Sequence, residues 1–193
     1  ERLQVAFTGI PPQALQQICA WVGGGPSVSI STTGTKPIPL SRNTNVPLRV
    51  IDLMENQLGP DATEKLCVAL ETSLVEEVRI RFNNIGRPGA DGLASVVTVS
   101  PRLKILDIRG NALTGPDLRK LLKAISYSTT ITSVELGGNN LGPEGSQMLA
   151  TALERNASVT SLDLYKNQIG FEGAQKLAGL LSLPTCGIRY LEI

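Results

Sequence analysis

From Leu48 onward the apolar residues of this chain follow a two-part rhythm. Pairs two apart, such as Ile51 and Leu53, Val134 and Leu136, and Leu162 and Leu164, put both side chains on one face of a short strand. After each pair the spacing turns helical. Gly145, Leu149, Ala152 and Leu153 fall at i, i+4, i+7 and i+8, one stripe of an amphipathic helix. Ala62, Leu66, Ala69 and Leu70 repeat that stripe, as do Gly173, Leu177, Leu180 and Leu181. The small residue opening each stripe lets the helix lie close to the strand. Pro60 and Pro143 fall at the start of the first helical turn, where a missing N–H costs no hydrogen bond. The pattern predicts strand, turn, helix, over and over.

Self-similarity fixes the period. Asparagines at 56, 83, 111, 139 and 167 are separated by 27, 28, 28 and 28 residues. Leu48, Ile51, Leu53, Asn56, Leu58 and Gly59 set a pattern that Val75, Val78, Ile80, Asn83, Ile85 and Gly86 repeat. Leu103, Leu106, Ile108, Asn111 and Leu113 follow, with Thr114 in the glycine's place. Next come Ile131, Val134, Leu136, Asn139, Leu141 and Gly142, then Val159, Leu162, Leu164, Asn167, Ile169 and Gly170. A sixth unit opens with Ile188, Leu191 and Ile193. One unit cannot bury its apolar face alone, so copies must stack, with successive strands pairing in parallel over one continuous core. An asparagine amide both donates and accepts, and can satisfy backbone groups where the chain bends inside the stack. Asn56, Asn83, Asn111, Asn139 and Asn167 are therefore read as a structural ladder.

The pattern L-x-x-L-x-L-x-x-N-x-L over residues 48–193 resembles the leucine-rich repeat. The period near 28 and the second half, G-x-x-x-L-x-x-A-L, resemble its ribonuclease-inhibitor-like subclass, shared with immune receptors and Ran GTPase-activating proteins. The resemblance implies an α/β solenoid, a horseshoe with parallel strands on the concave face and helices on the convex face. The third unit departs from the pattern. Gly115-Pro116 follows Thr114, Asp117 takes the small position, and Leu118 opens the stripe through Leu121, Leu122 and Ile125, which predicts a slightly shifted helix.

Residues 1–47 fit the repeat poorly and are read as degenerate N-terminal repeat material, with 48–193 as one continuous solenoid. Leu3 to Ile10 resembles a worn repeat strand, and Pro11 to Val22 its helix. Residues 23–47 contain 16 Gly, Pro, Ser or Thr among 25, a composition that makes no regular helix. Val28 and Ile30 alternate as a short strand would, followed by a long loop. Ile193 falls inside a strand, so the array is expected to continue in a longer polypeptide.

Composition narrows the chemistry. The chain has 193 residues, enough for one domain with a core and short for two large ones. Leucine fills 27 positions while aromatics make 4 %, the balance of a small core repeated. Lys plus Arg total 18 against 17 for Asp plus Glu. That net +1 gives no global field for a polyanion and argues against nucleic acid as a partner. No stretch approaches the ~18 to 20 unbroken apolar residues of a membrane span. Histidine is absent, which removes the commonest general base and zinc ligand. Cys19, Cys67 and Cys186 are far apart and odd in number. They read as small apolar core residues in a reducing, cytoplasmic setting, with a nuclear or cytoskeletal address left open. Gly23-Gly24-Gly25-Pro26 lacks the lysine and Ser/Thr of a P-loop. Neither a nucleophile–base pair nor a metal cluster stands out, so no catalytic residue, metal or cofactor is expected. Asn156-Ala157-Ser158 fits the glycosylation acceptor pattern.

Function is expected where the units differ, on the concave face. Asp52, Arg79, Asp107, Glu135, Asp163 and Glu192 sit between the paired core residues, an acidic row with one arginine suited to a basic partner. Met54, Arg81, Arg109, Gly137 and Tyr165 form the next column; Glu55, Phe82, Gly110, Gly138 and Lys166 run beside it. Met54, Arg79, Arg81, Phe82, Arg109 and Tyr165 are the candidate protein-binding residues, because arginine and aromatic side chains dominate interface energies. The arginines can instead pair with Asp52, Asp107 and Glu135 across neighbouring strands. Gly137-Gly138 leaves room for a partner side chain. The expected function is a non-enzymatic scaffold holding another protein, of unknown identity. The alternative that the resemblance permits is a Ran-type GTPase-activating regulator acting through one rim of the arc.

Overall fold

From residue 48 on, strands of three residues alternate with helices of 9 to 14 residues, as the spacing requires, and the computed structural model describes residues 2–4, 12–23, 28–30, 38–40 and 48–193. The order is β1 (Arg2–Gln4), α1 (Pro12–Val22), β2 (Val28–Ile30), β3 (Ile38–Leu40), β4 (Val50–Asp52), α2 (Gly59–Glu71), β5 (Glu77–Arg79) and α3 (Gly86–Val99). There follow β6 (Ile105–Asp107), α4 (Arg119–Tyr127), β7 (Ser133–Glu135), α5 (Gly142–Leu153), β8 (Ser161–Asp163), α6 (Gly170–Leu181) and β9 (Tyr190–Glu192). Seven strands make one parallel sheet in the order β1-β4-β5-β6-β7-β8-β9. This is the α/β solenoid of a leucine-rich repeat. Ile51, Val78, Leu106, Val134, Leu162 and Leu191 stand side by side in the pairing register.

The core runs the length of the stack. Ile51, Val78, Leu106 and Val134 from the strands are buried, as are Leu66, Leu93, Leu121 and Leu149 from the helices. Each such side chain contributes about 1.5 to 3 kcal/mol through removal from water. Cys67 is buried, whereas Cys19 and Cys186 are half-buried against the core. Pro60 and Pro143 lie in the first turns of α2 and α5.

The asparagines lie in line. Asn111 Oδ1 accepts from Asn83 N at 2.9 Å and Ile85 N at 3.3 Å, and Asn139 Oδ1 accepts from Asn111 N and Leu113 N, both at 3.0 Å. Asn83 Oδ1 does the same for Asn56 N and Leu58 N. Each amide nitrogen reaches back to carbonyls of its own and the preceding unit: Asn83 to Leu53 O, Asn111 to Ile80 O, Asn139 to Ile108 O, Asn167 to Leu136 O. A second polar ladder closes the other end of each unit. Ser73, Ser100, Ser128 and Asn156 each accept, through a side-chain oxygen, the N–H of Val75, Leu103, Ile131 and Val159 respectively. These partners open the next strand region.

The third unit is shifted for a stereochemical reason. Where Gly59, Gly86, Gly142 and Gly170 take positive φ, this unit has Thr114, a β-branched residue that the left-handed region disfavours. The chain turns differently. Asp117 Oδ2 accepts from Thr114 N at 3.0 Å and Thr114 Oγ1 at 2.6 Å, and α4 begins only at Arg119. Near the start of the chain, β1 pairs in parallel with β4 and α1 follows it. A second strand, β3, lies within the segment expected to be a loop and pairs antiparallel with β2. Pro39 is tolerated there because a two-stranded ribbon leaves one edge of each strand unpaired. Residues 1, 5–11, 24–27, 31–37 and 41–47, which include most of the expected worn strand and of the expected loop, lie outside the described residues.

Candidate partner-binding face

Alternation along each short strand sends the residue between two core positions away from the core, onto the open face of the sheet. The pairing register sets Asp52, Arg79, Asp107, Glu135, Asp163 and Glu192 in one row. The aspartates in this row do not reach freely outward. Each folds back on its own turn: Asp52 Oδ1 accepts from Met54 N, Asp107 Oδ1 from Arg109 N, and Asp163 Oδ1 from Tyr165 N at 2.9 Å. A short carboxylate bonding the backbone two residues on is a usual way for aspartate to close a turn. All three are buried.

The arginines of the next column complete the charge. Arg109 grips Asp107 with two parallel bonds, Nε to Oδ1 at 3.0 Å and Nη2 to Oδ2 at 2.9 Å. The same guanidinium lies 2.7 Å from Glu135 Oε2 and 3.5 Å from Asp163 Oδ2. Arg81 Nε stands 3.1 Å from Asp107 Oδ2, an ion pair whose N–H has no aligned acceptor, and its Nη2 is 4.0 Å from Asp52. Arg2 on β1 closes the row from the other side, 3.0 Å from Asp52. Arg79 turns instead to Glu77 on its own strand, at 2.7 Å. The structure thus joins Arg81 and Arg109 through Asp107 and leaves Arg79 outside that group.

Asp52, Asp107, Glu135 and Asp163 outnumber Arg2, Arg81 and Arg109 by one, which leaves local negative charge in excess. Burial, reinforced by the Asp107 charge, lifts the Glu135 carboxyl above its ordinary value. The hydrogen bonds to Asp107 hold Arg109 firmly charged. Among the described residues no group of His, Cys, Asp and Glu is arranged to hold a metal ion.

Two aromatic side chains flank this group. Phe82 is 51 % exposed and has φ 55°, a left-handed conformation rare for a bulky residue. It is fixed by its N–H, which donates to Arg109 O at 2.9 Å. Its ring lies on Gly110, where any Cβ would collide with Cδ1 and Cε1. Tyr165 is 48 % exposed, with Lys166 Nζ 5.0 Å from the ring centroid. Between Arg109 and Tyr165 lies Gly137. A Cβ there would stand 2.8 Å from both carboxylate oxygens of Asp163, so Asp163 occupies the space a side chain would take. Gly138 beside it meets only the Gly110 backbone, at 3.6 Å or more. Met54 is half-buried at the Arg81 end.

Asn156 carries no free amide. It is buried, and its Nδ2 donates to Ile125 O at 2.7 Å and Ser128 O at 2.9 Å, so the acceptor pattern at 156–158 is a structural feature of the folded chain.

The Leucine Rich repeat family model matches residues 99–122, 127–150 and 155–178, each segment running from one helix end through a strand into the next helix. No curated protein matches the chain in sequence. Among solved structures, leiomodin-1 actin-binding site 2 is similar at a TM-score of 0.59 and 17 % identity, over 68 % of this chain and 77 % of that one. The C-terminal domain of tropomodulin from Caenorhabditis elegans is similar at 0.59 and 14 % identity, over 69 % and 81 %. The fold is shared with both. Among the described residues no helix is long and apolar enough to cross a membrane.

Proposed function

We propose that the chain is a non-enzymatic binding module whose concave strand face holds a partner protein presenting a basic side chain. The observation that carries this reading is the Arg109 guanidinium shared by Asp107, Glu135 and Asp163, beside Gly137-Gly138, where the Asp163 carboxylate fills the space over Gly137 and Gly138 stays bare. A partner lysine or arginine entering over Gly138 offsets the excess carboxylate charge. Phe82 and Tyr165 supply exposed aromatic contacts on either side. Parallel strands hold these groups at fixed spacing, so little order is gained on binding. The arginines themselves are already paired, and in this reading they shape the carboxylates rather than meet the partner first.

Actin is the first partner to test, because the similar leiomodin-1 structure is named for an actin-binding site. Such a partner would place the protein inside the cell, at the cytoskeleton. The 27- to 28-residue period with a helix after each of β4 to β8 supports the ribonuclease-inhibitor-like subclass. The experiment is fluorescence titration of monomeric actin with the wild-type chain and with Phe82→Ala/Tyr165→Ala, which removes the two exposed aromatic contacts and leaves the ion pairs intact. The double variant is expected to bind at least ~10-fold more weakly, with a thermal midpoint within about 2 °C of wild type. Equal binding by both forms would remove the concave face from the reading. Hydrolysis assays with Ran-type GTPases separate the alternative, since acceleration by this chain would make it a regulator rather than a scaffold.

A further inference from the structure

The helical face carries a second feature, unrelated to the strands. Two neighbouring helix pairs approach through small residues: Gly89 and Gly92 of α3 lie against Thr63 and Cys67 of α2, and Gly173 of α6 lies against Ser146 of α5. Between the third and fourth units the glycine contact, Gly115 against Gly145, sits only at the entry to the helices. Beyond it α4, with 9 residues against 12 in α5, lies apart from its neighbour. The result is a groove of about 490 Å³ between them. Its floor is apolar, made by Leu122, Met148 and Ala152. Tyr127 stands at its far end, 68 % exposed.

The rim is cationic. Arg119 and Lys123 of α4 and Arg155 beyond α5 line it with Lys176, against the single carboxylate of Glu144. Lys176 lies 3.6 Å from Glu154, outside the groove lining. Among the described residues Arg119, Lys123 and Arg155 have no ion-pair partner, although the neighbouring Lys120 is paired with Asp91 at 2.8 Å. A chain of net charge +1 thus concentrates unpaired cations along one apolar furrow.

We propose that the α4–α5 groove docks an acidic amphipathic helix of a partner protein, independently of the concave face. The partner's apolar stripe would lie on Leu122, Met148 and Tyr127, and its flanking carboxylates would meet Arg119, Lys123 and Arg155. Helix-in-groove recognition uses this combination of an apolar stripe and a charged border. Met and Tyr suit it, one adaptable and the other broad and rigid. A nucleic-acid backbone satisfies the cations but leaves the apolar floor uncovered.

The test uses a fluorescein-labelled helical peptide of about five turns, with leucines on one face and glutamates beside them. The same peptide with lysines, a short DNA duplex and phosphatidylserine vesicles serve as competitors. The glutamate peptide is expected to bind the wild-type chain in the range of about 10 to 100 μM, more weakly as salt rises. Arg119→Glu/Lys123→Glu/Arg155→Glu should weaken it at least ~10-fold. Met148→Asp should do so without changing surface cations, and Phe82→Ala/Tyr165→Ala on the concave face should not alter it. No binding of the glutamate peptide up to about 1 mM overturns the proposal. So does undiminished binding by the triple variant, or tighter binding of the lysine peptide, the duplex or the vesicles. Should charge reversal unfold the chain, Arg119→Gln/Lys123→Gln/Arg155→Gln replaces it.

Discussion

Replacing Asn111 by alanine tests the internal hydrogen-bond ladder where it is most complete. Asn111 is 3 % exposed, in the third of the five repeated units. Its Oδ1 accepts from Asn83 N and Ile85 N, and neither N–H has another acceptor. Its Nδ2 donates to Ile80 O, Ile108 O and Arg109 O. Two of those carbonyls keep a donor after the substitution: Ile108 O from Asn139 and Arg109 O from Phe82 N. Ile80 O does not. Three buried backbone groups are therefore orphaned, at about 1 to 3 kcal/mol each. The sum is about 3 kcal/mol at its lower end, and more if no water enters.

Urea unfolding of Asn111→Ala, followed by circular dichroism, measures that loss. Asn140→Ala is the control, since Asn140 is exposed next to the ladder and its removal should stay within about 0.5 kcal/mol. Asn167→Ala should fall between the two. Its Oδ1 accepts only Leu141 N at 3.4 Å, and of its three carbonyl partners only Leu164 O is left bare. If Asn111→Ala costs no more than Asn140→Ala, or less than Asn167→Ala, the counting of orphaned groups is wrong.

Other positions give independent readings. Gly145→Ala drives a methyl to 2.8 Å from the Gly115 Cα and should cost about 1 to 3 kcal/mol. Gly179→Ala meets nothing within 4 Å in α6 and should stabilise by about 0.5 to 1 kcal/mol; paired thermal melts check both. Glu135 has a folded pKa above its ordinary 4.5, so the folded chain binds that proton more tightly than the unfolded chain. Its contribution to stability is largest below that ordinary value and declines as pH rises from there through the raised folded value. Glu135→Gln should flatten that slope in urea midpoints measured across the window. Burial pushes the Cys67 thiol up to about 12, so it should resist a thiol reagent at about pH 8 until the chain unfolds.

What was legible in the sequence was whatever repeats. Asn83, Asn111 and Asn139 declare the period, the paired leucines declare strands, and Thr114 announces the shifted helix by standing where glycine is needed. The second polar ladder is equally periodic, at 73, 100, 128 and 156, but serine is too common to mark a period and Asn156 also fits a glycan acceptor pattern. The β2–β3 ribbon escaped for the opposite reason: Ile38-Pro39-Leu40 is too short and too interrupted to show alternation. Column membership on the concave face could be read from register alone. The pairing within it could not. Arg79 and Arg109 occupy neighbouring columns of adjacent strands, yet one turns to Glu77 on its own strand and the other gathers three carboxylates. That choice depends on reach and direction, which a one-dimensional pattern does not hold.

The two faces of the sheet are mechanically linked by this arrangement. Strands pair at about 4.8 Å, and the buried asparagines lock the turn of each unit onto the one before it. A turn that cannot shift holds its outward residues as well. Phe82 keeps its left-handed backbone because its N–H is held by Arg109 O, while the neighbouring Asn83 N–H is held by Asn111 Oδ1. Asp107 and Asp163 each bond a backbone N–H two residues on, so their carboxylates are anchored to the same turns. The charge cluster around Arg109 is consequently preorganised by groups that never reach the surface. Loosening the ladder at Asn111 should blur the concave face before the core itself gives way, because the residues it fixes directly, Asn83 and Ile85, follow Phe82 within three positions.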